Sequence, residues 1–540
     1  MARIVECVPN FSEGRNKQII DAIAAAASNT DGCTLLDVDP GPSTNRTVYT
    51  LVGSPEAVVE GALNMAKVAF KLIDMSKHHG EHPRFGALDV CPFIPVSPDI
   101  TMDDCVMCAK QFGERLAKEI NVPVYLYGFA AQEEKRKKLP TIRAGEYEKL
   151  ADKLKDSEWK PDFGPSEFVP SWGATATGGR KFLIAYNVNV LGTKEQSHRI
   201  ALDIREKGRG EGKPGKFKEV QAIGWWLEEA NLAQVSINLT DMDQTLVHQV
   251  YEECKKQAEA INIAVCGSEI VGLVPLRALL EAAEYYIQKE NLFILEEDQK
   301  IKLAVNRLGL SSMSPFKPED RVIEYRVRQS DPKLLINHTL KDFILSVGAR
   351  TSAPGGGSVA ATVGALGAGL STMVGWMTYG NRKFEALDST MRRLLPPLHQ
   401  AMNSLIPMID ADSEAFNKYM AAMRMPKETE EQQKIRAECM DTAMKNAVMV
   451  PMTVAQTVNT CWTPLKEMAV HGNINCKSDL QVGARSLELG VWGAYYNVMI
   501  NLPSVEDAEF KEKAKAEAEG LLKQAQDACV EVLKIIGERA

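Results

Sequence analysis

Positive charge is in short supply. The 540 residues carry 63 Lys and Arg against 71 Asp and Glu, a net charge of −8. That excludes a general nucleic-acid binder and leaves room for a local basic patch serving a small anion. Paired cysteines are also missing: the eleven are scattered and odd in number, the usage of reduced thiols in a cytosolic compartment. Cys105 and Cys108 stand as C-x-x-C in "TMDDCVMCAK", but no second pair follows at zinc-ribbon spacing. They read as half-buried helix residues. No basic stretch followed by an apolar run of signal length opens the chain, so no secretory signal is expected. Long apolar runs are scarce too. Residues 351–381 carry no charge, yet Gly, Ala, Ser and Thr dominate them rather than Leu and Ile, which suits a buried bundle helix better than a membrane span.

What is present divides in two. The first ~330 residues alternate strand-like and helix-like runs, with Ser54–Pro55 and Thr101–Asp104 placed as helix starts. "AQEEKRKKLPTIRAGEYEKL" is charged and helix-like, and "WKPDFGPSEFVPSWGATATGG" is an irregular connection rich in Pro, Gly and aromatics. Residues 181–274 then follow the order β-α-β-β-α-β, the split βαβ plan, and the first half threads onto a similar one. From about Pro332 nearly every stretch has helical apolar spacing. The predicted fold class is α/β plus all-α: a pair of ferredoxin-like α+β sandwich subdomains (1–178 and 179–326), a linker (327–334) and a helical bundle (335–540). A groove between the sandwiches is a favoured ligand site, and two unlike architectures suggest two activities.

Three of the eight histidines fall within five positions of "KHHGEHPRFGALD", where His78, Glu81 and His82 spell H-x-x-E-H. Gly80 and Pro83 break the helix on which a zinc site of that type depends. The stretch reads as a loop carrying a catalytic or ligand-contacting histidine; a zinc site and a solvated polar loop are the alternatives. Nearby loops supply Asn10, Ser12, Glu13, Asp37, Asp39, Asn45 and Arg46. Asp39 paired with His82 would fix its tautomer, as in catalytic triads; turn chemistry beside Pro40 and Gly41 also explains it. "IREKGRGEGKPGKFKEV" is a solvated glycine loop or a cationic strip for a multiply anionic ligand. In the helical part, the three glycines of "RTSAPGGGS" leave amide hydrogens open to an anion or a heterocycle edge. Asp412 lies nearer the apolar face of its helix than Asp410, so burial should raise its pKa. Asn473, Asn475 and Asp479 sit in a helix-breaking loop that caps helices or contacts an uncharged ring.

Five stretches, "ECVPNFSEGR", "DVDPGPSTNRTVYT", "HHGEHPRFGALDVCPFIPV", "TSAPGGGSVAA" and "GNINCKSDL", make the chain resemble the formimidoyltransferase-cyclodeaminase family, bifunctional folate enzymes of histidine breakdown, over essentially its full length. The resemblance implies two coupled reactions. The formimidoyl group of N-formimidoyl-L-glutamate moves to N5 of tetrahydrofolate with release of L-glutamate. The 5-formimidoyltetrahydrofolate then cyclises to 5,10-methenyltetrahydrofolate with loss of ammonia. It places the transferase acid–base on His82 and the cyclodeaminase carboxylate on Asp412. Folate contacts fall on Phe163, Gly164, Pro165, Ser166, Glu167, Phe168, Val169, Pro170, Ser171 and Trp172, and on Pro214, Gly215, Lys216, Phe217, Lys218, Glu219, Val220, Gln221, Ala222 and Ile223. Also implied are polyglutamylated tetrahydrofolate as co-substrate without a metal, a homo-octamer built as a ring of dimers, and a cytoplasmic enzyme associated with Golgi membranes and intermediate filaments. No nucleic-acid partner is expected. The competing expectations are a Golgi–cytoskeleton adaptor and a zinc metallohydrolase at His78 and His82.

Overall fold

The computed structural model describes residues 3–42, 44–80, 83–97, 99–330 and 334–539. They form two compact units, residues 2–330 and 331–540. The first is mixed α/β with two sheets; the second is helical.

The first sheet contains β1 (Val5–Cys7), β2 (Asn10–Phe11), β3 (Cys33–Gly41), β4 (Arg46–Gly53), β5 (Leu88–Pro95), β6 (Val124–Gly128) and β7 (Thr175–Gly179). β1 and β2 occupy one strand position, antiparallel to both β4 and β5, and β3 pairs with β4 at the edge. β7 and β6 extend the sheet in parallel beyond β5. The second sheet holds β8 (Ile184–Leu191), β9 (Val220–Leu227), β10 (Leu232–Leu239) and β11 (Ala264–Val271) in the order β11-β8-β10-β9, all antiparallel. The order β5, β1/β2, β4, β3 in the first sheet repeats the order β11, β8, β10, β9 in the second.

Local chemistry sets the helices. Ser54 Oγ accepts from Ala57 N–H with Pro55 at the first helical position, and Thr101 and Asp104 close a capping box. Val5, Cys7, Phe11, Leu51 and Phe93 bury one sheet face against helices Lys17–Ser28, Pro55–Leu72 and Met102–Ile120. Cys105 and Cys108 lie in that core, more deeply than half-buried. On the second sheet, inward Tyr186, Val188, Val235 and Ile237 alternate with Asn187, Asn189 and Gln234, the two-residue period of a strand.

Two expectations change. The charged stretch 131–150 is not one helix: it breaks into short turns at Glu134–Arg136, Leu139–Arg143 and Tyr147–Lys149, because Pro140 and Gly145 (φ +89°) interrupt it. The region read as a linker starts inside helix Ile323–Ser330, and residues 331–333 lie outside the described residues.

In the helical unit, the uncharged helix Gly356–Trp376 is long and apolar enough to cross a membrane. Its small residues Gly357, Ala361, Gly364, Ala368 and Gly375 are buried against neighbouring helices. Gly367 packs on Leu487 and Gly364 on Val458, so the small residues serve close helix contact. The other long helices are Asp388–Leu405, Met408–Met423, Glu430–Asn459, Lys477–Asn501 and Ala508–Glu538.

Candidate active sites

The histidine loop of the first unit lies against the β3–β4 turn. Asn45, at φ +47°, accepts from Gly14 N–H through its side-chain oxygen and donates to the His79 carbonyl. Its own carbonyl accepts from His78 Nε2 at 2.8 Å, while His78 Nδ1 accepts from Arg84 Nε at 3.2 Å. Both ring nitrogens of His78 are therefore used in holding the loop, and burial lowers its pKa. A neutral imidazole donating through Nε2 satisfies both bonds, so His78 offers no nitrogen to a metal. Glu81 and His82, the remainder of the H-x-x-E-H pattern, lie outside the described residues. Asp39 is exposed on β3, opposite Val48 and two residues before the Gly41–Arg46 rung.

Arg84 is the hub on this side. Its guanidinium reaches Glu148 at 2.8 and 3.0 Å and Glu146 at 3.4 Å. Glu148 holds the Arg84 pKa above its ordinary value, and Arg84 holds that of Glu148 below its own. These groups, with His79, Gly80 and Gly145, line an open cleft of about 410 Å³. Its wall is anchored from behind. Lys153 Nζ, 3.9 Å from the centre of the Trp159 ring, donates to the carbonyls of Thr141, Ile142 and Ala144. Burial brings its pKa down to about 8. Beside the cleft, Arg46 and Arg143 both donate to the same oxygen of Asp89, whose other oxygen accepts from Phe85 N–H. Burial, with Arg143 adding to it and Asp89 opposing, lowers the Arg46 pKa. Glu6 on β1 is 3% exposed. Burial pushes its pKa up to about 7, with Arg180 opposing and Glu324 adding.

The first expected folate segment packs against Tyr147, which lies between the cleft residues Glu146 and Glu148. Phe168 packs on Tyr147 with the rings tilted by 51° and their centroids 5.4 Å apart, and the Pro170 carbonyl accepts from the Tyr147 hydroxyl. The Ser171 carbonyl accepts from Met75 N–H. Phe163 and Val169 pack on the core, Trp172 is fully buried, and Gly164, Ser166 and Glu167 face solvent. The second segment edges the other sheet. Glu219, Val220, Gln221 and Ala222, with Arg205, Glu206, Lys207 and Thr240, line a second cleft of about 450 Å³. Of the basic loop, Arg209 pairs with Asp203 and Lys216 with Glu253. Phe217 packs inward and Ile223 is exposed.

In the helical unit the glycine-rich helix start is already filled from within. Asp412 Oδ2 accepts from Ser358 N–H at 3.0 Å and from Ser358 Oγ at 3.4 Å. Ser358 Oγ also donates to the Ile409 carbonyl and lies 3.1 Å from Ser413 Oγ. The amide that the sequence leaves open to an outside anion belongs to Asp412. A Cβ on Gly357 would collide with the Asp412 carboxylate, and one on Gly356 would sit 3.1 Å from Asn497 Nδ2. Burial raises the Asp412 pKa, with the two Ser358 bonds opposing. Asp410 instead caps the turn at Leu335 and Ile336. Asn473 caps Asn475 N–H and donates to the Met377 carbonyl, the capping role of its loop. Asp479 lies in the first turn of helix Lys477–Asn501.

Sequence reasoning missed Arg84, Asp89, Arg143, Glu146 and Glu148 in one unit and Ser358, Ser413 and Asn497 in the other. Arg84, Asp89 and Ser358 lie within "HHGEHPRFGALDVCPFIPV" and "TSAPGGGSVAA"; Arg143, Glu146 and Glu148 were signalled by the charge density of "IRAGEYEK", part of a stretch that reads as charged and helix-like.

Comparison with known proteins covers both units. Residues 4–180 match the formiminotransferase domain, N-terminal subdomain; residues 185–328 match the formiminotransferase domain; and residues 339–520 match formiminotransferase-cyclodeaminase. The chain is similar to formimidoyltransferase-cyclodeaminase of Rattus norvegicus, 59% identical over 534 residues, 99% of this chain and 98% of that protein. It is also similar to glutamate formimidoyltransferase of Streptococcus pyogenes serotype M1, 43% identical over 54% of this chain and 95% of that protein. Methenyltetrahydrofolate cyclohydrolase of Methylorubrum extorquens is 33% identical over 35% of this chain and 91% of that protein. With identity of this level from end to end, the chain belongs to the formimidoyltransferase-cyclodeaminase family.

Proposed function

We propose that this protein is a bifunctional folate-dependent enzyme of histidine catabolism: a glutamate formimidoyltransferase in residues 2–330 and a formimidoyltetrahydrofolate cyclodeaminase in residues 331–540. The observation that carries the reading is the 59% identity spanning both units, joined to a half-buried carboxyl, Asp412, with a raised pKa at a glycine helix start.

In the transferase, N5 of tetrahydrofolate attacks the formimidoyl carbon of N-formimidoyl-L-glutamate. His82 takes the N5 proton and returns one to the departing glutamate nitrogen. Asp39 orients His82. His78, both of whose nitrogens are engaged, holds the loop. In the cyclodeaminase, N10 closes onto the same carbon, and Asp412 protonates the leaving amine, which departs as ammonia. Burial raises the Asp412 pKa, which favours the protonated form that donates to the leaving amine.

The same reading assigns ferredoxin-like subdomains to 1–178 and 179–326, the linker to 327–334 and the cyclodeaminase to 335–540. The repeated strand order supports the pair. It assigns folate contacts to 163–172 and 214–223; the second is supported by the cleft that Glu219, Val220, Gln221 and Ala222 line. A polyglutamate tail on the unpaired lysines of the 205–218 loop would hold the intermediate between reactions. The assembly is a cytoplasmic homo-octamer with peripheral Golgi and cytoskeletal association.

The test uses the purified, chelator-treated chain with formimidoylglutamate and tetrahydrofolate, following ammonia and the methenyl product's absorbance together. Both products should form without added metal. Abolition by chelation restores the zinc reading, and absence of both products after metal is returned leaves the adaptor reading.

A further inference from the structure

The Arg46–Asp89–Arg143 cluster is out of charge balance. Asp89 is fully buried, and the side chains of Arg46 and Arg143 are 9% and 13% exposed. Asp89 sits where the β2–β5 register shifts between Asn10↔Val90 and Phe11↔Leu88, and it answers two guanidinium groups alone. Arg46 Nε finds only the neutral Asn10 Oδ1. Arg143 Nε is buried with no hydrogen-bond partner among the described residues. The neighbouring strands do not restore the balance. Arg143 and Arg180 both act on the Tyr127 hydroxyl, and Arg180 has Glu6 as its own electrostatic partner, so that pair adds no net anion to the cluster. Arg84, a few residues away, shows the opposite design: two glutamates answer one guanidinium.

A buried cation in excess, with an N–H left unpaired, is an expensive arrangement unless an anion completes it. We propose that Arg46 and Arg143 receive a carboxylate of a glutamyl group, an assignment that rests on the transferase reading above. Planar guanidinium forks match a carboxylate in two-point hydrogen bonding. Asp89 holds the forks in place while neutralising only one of them. The glutamyl group belongs either to the formimidoyl donor or to the folate tail. Both bring the same chemistry, and the experiment separates them.

Full-length parent, Arg143→Gln and Arg143→Lys are compared by thermal unfolding with and without glutarate, a bare dicarboxylate probe, and by steady-state kinetics. In Arg143→Gln, Asp89 keeps Arg46 and Phe85 N–H, so the unfolding temperature should hold or rise. Glutarate should raise the unfolding temperature of the parent, raise that of Arg143→Lys less, and leave Arg143→Gln unmoved. Loss of a charge-assisted pair should raise one KM by roughly 10–100-fold in Arg143→Gln. If that is the KM for formimidoylglutamate, the carboxylate is the donor's. If it is the KM for tetrahydrofolate and not that for tetrahydropteroate, which lacks the glutamyl group, the carboxylate is the tail's. No glutarate shift in the parent, or the same shift in Arg143→Gln, overturns the proposal. A parent that shifts with glutarate yet does not turn over formimidoylglutamate overturns the transferase reading and leaves the carboxylate site standing.

Discussion

The two units solve the placement of an ionisable group in opposite ways. Around the cleft of residues 2–330 charge meets charge: Arg84 is answered by Glu146 and Glu148, while Arg46 and Arg143 share Asp89. In residues 331–540 the Asp412 carboxyl is answered only by the neutral N–H and hydroxyl of Ser358. Networks of opposite charge lock each member in its ionised form over a wide pH range. A carboxyl that meets only neutral groups while partly desolvated keeps its proton in play. The first arrangement suits gripping a charged substrate, the second delivering a proton.

That contrast can be broken most directly by exchanging the damage. His82→Ala should lower formimidoyl transfer by roughly 10²–10⁴-fold while chemically supplied 5-formimidoyltetrahydrofolate still cyclises. Asp412→Asn should do the reverse, and accumulation of the 5-formimidoyl intermediate is the readout. If either variant stops both reactions, the independence of the two sites is lost. Gly357→Ala should come next, with cyclisation down about 100-fold and transfer untouched. Alanine favours a helix over glycine by about 0.5–1 kcal/mol, so circular dichroism should show no loss of helix while activity falls.

The charge-for-charge side is sharpened by its exception. Glu6 is buried on β1, and its pKa is raised from 4.5 to about 7. A carboxyl whose folded pKa lies above its unfolded one destabilises the fold fully above about pH 7 and not at all below 4.5. Glu6→Gln should therefore gain stability over the parent as pH rises through that window, reaching roughly 2–3 kcal/mol at the top. A difference that does not change with pH in denaturant titrations would remove Glu6 from the titrating groups. Asp412 obeys the same sign with a smaller effect. Asp412→Asn should raise the unfolding temperature at neutral pH by roughly 1–2 °C, with the gain fading as pH falls toward the ordinary carboxyl value. Calorimetry of the full chain at two pH values would decide it.

Much of this was legible beforehand, for physical reasons that differ by region. Ser54–Pro55 and Thr101–Asp104 announce helix starts because capping is local, and the structure forms both. Asp412 was legible because one helical turn of spacing tells which carboxylate leans toward the apolar face. Its contact with Ser358 was not, since 54 residues of chain separate them. Arg84, Asp89 and Arg143 were illegible for the same reason, their pairings joining residues 43 to 64 positions apart. The stretch 131–150 misled because charge density resembles a solvated helix, whereas here the charges anchor a cleft wall. The structure gives positions for Asp39 and the two folate segments, and His82 lies outside the described residues.

The packing of Gly357 against Asp412 has a consequence for inheritance. Every amino acid except glycine carries a Cβ, and at this position a Cβ falls where the carboxylate stands. All missense codons at 357 therefore meet the same obstacle, whatever the polarity or size of the residue they encode. An ordinary core position tolerates some neighbours of its own kind and rejects others. This one should appear in a saturation-mutagenesis map as a column in which even alanine, the smallest step, lowers cyclisation, and bulkier residues add the cost of overpacking a buried position.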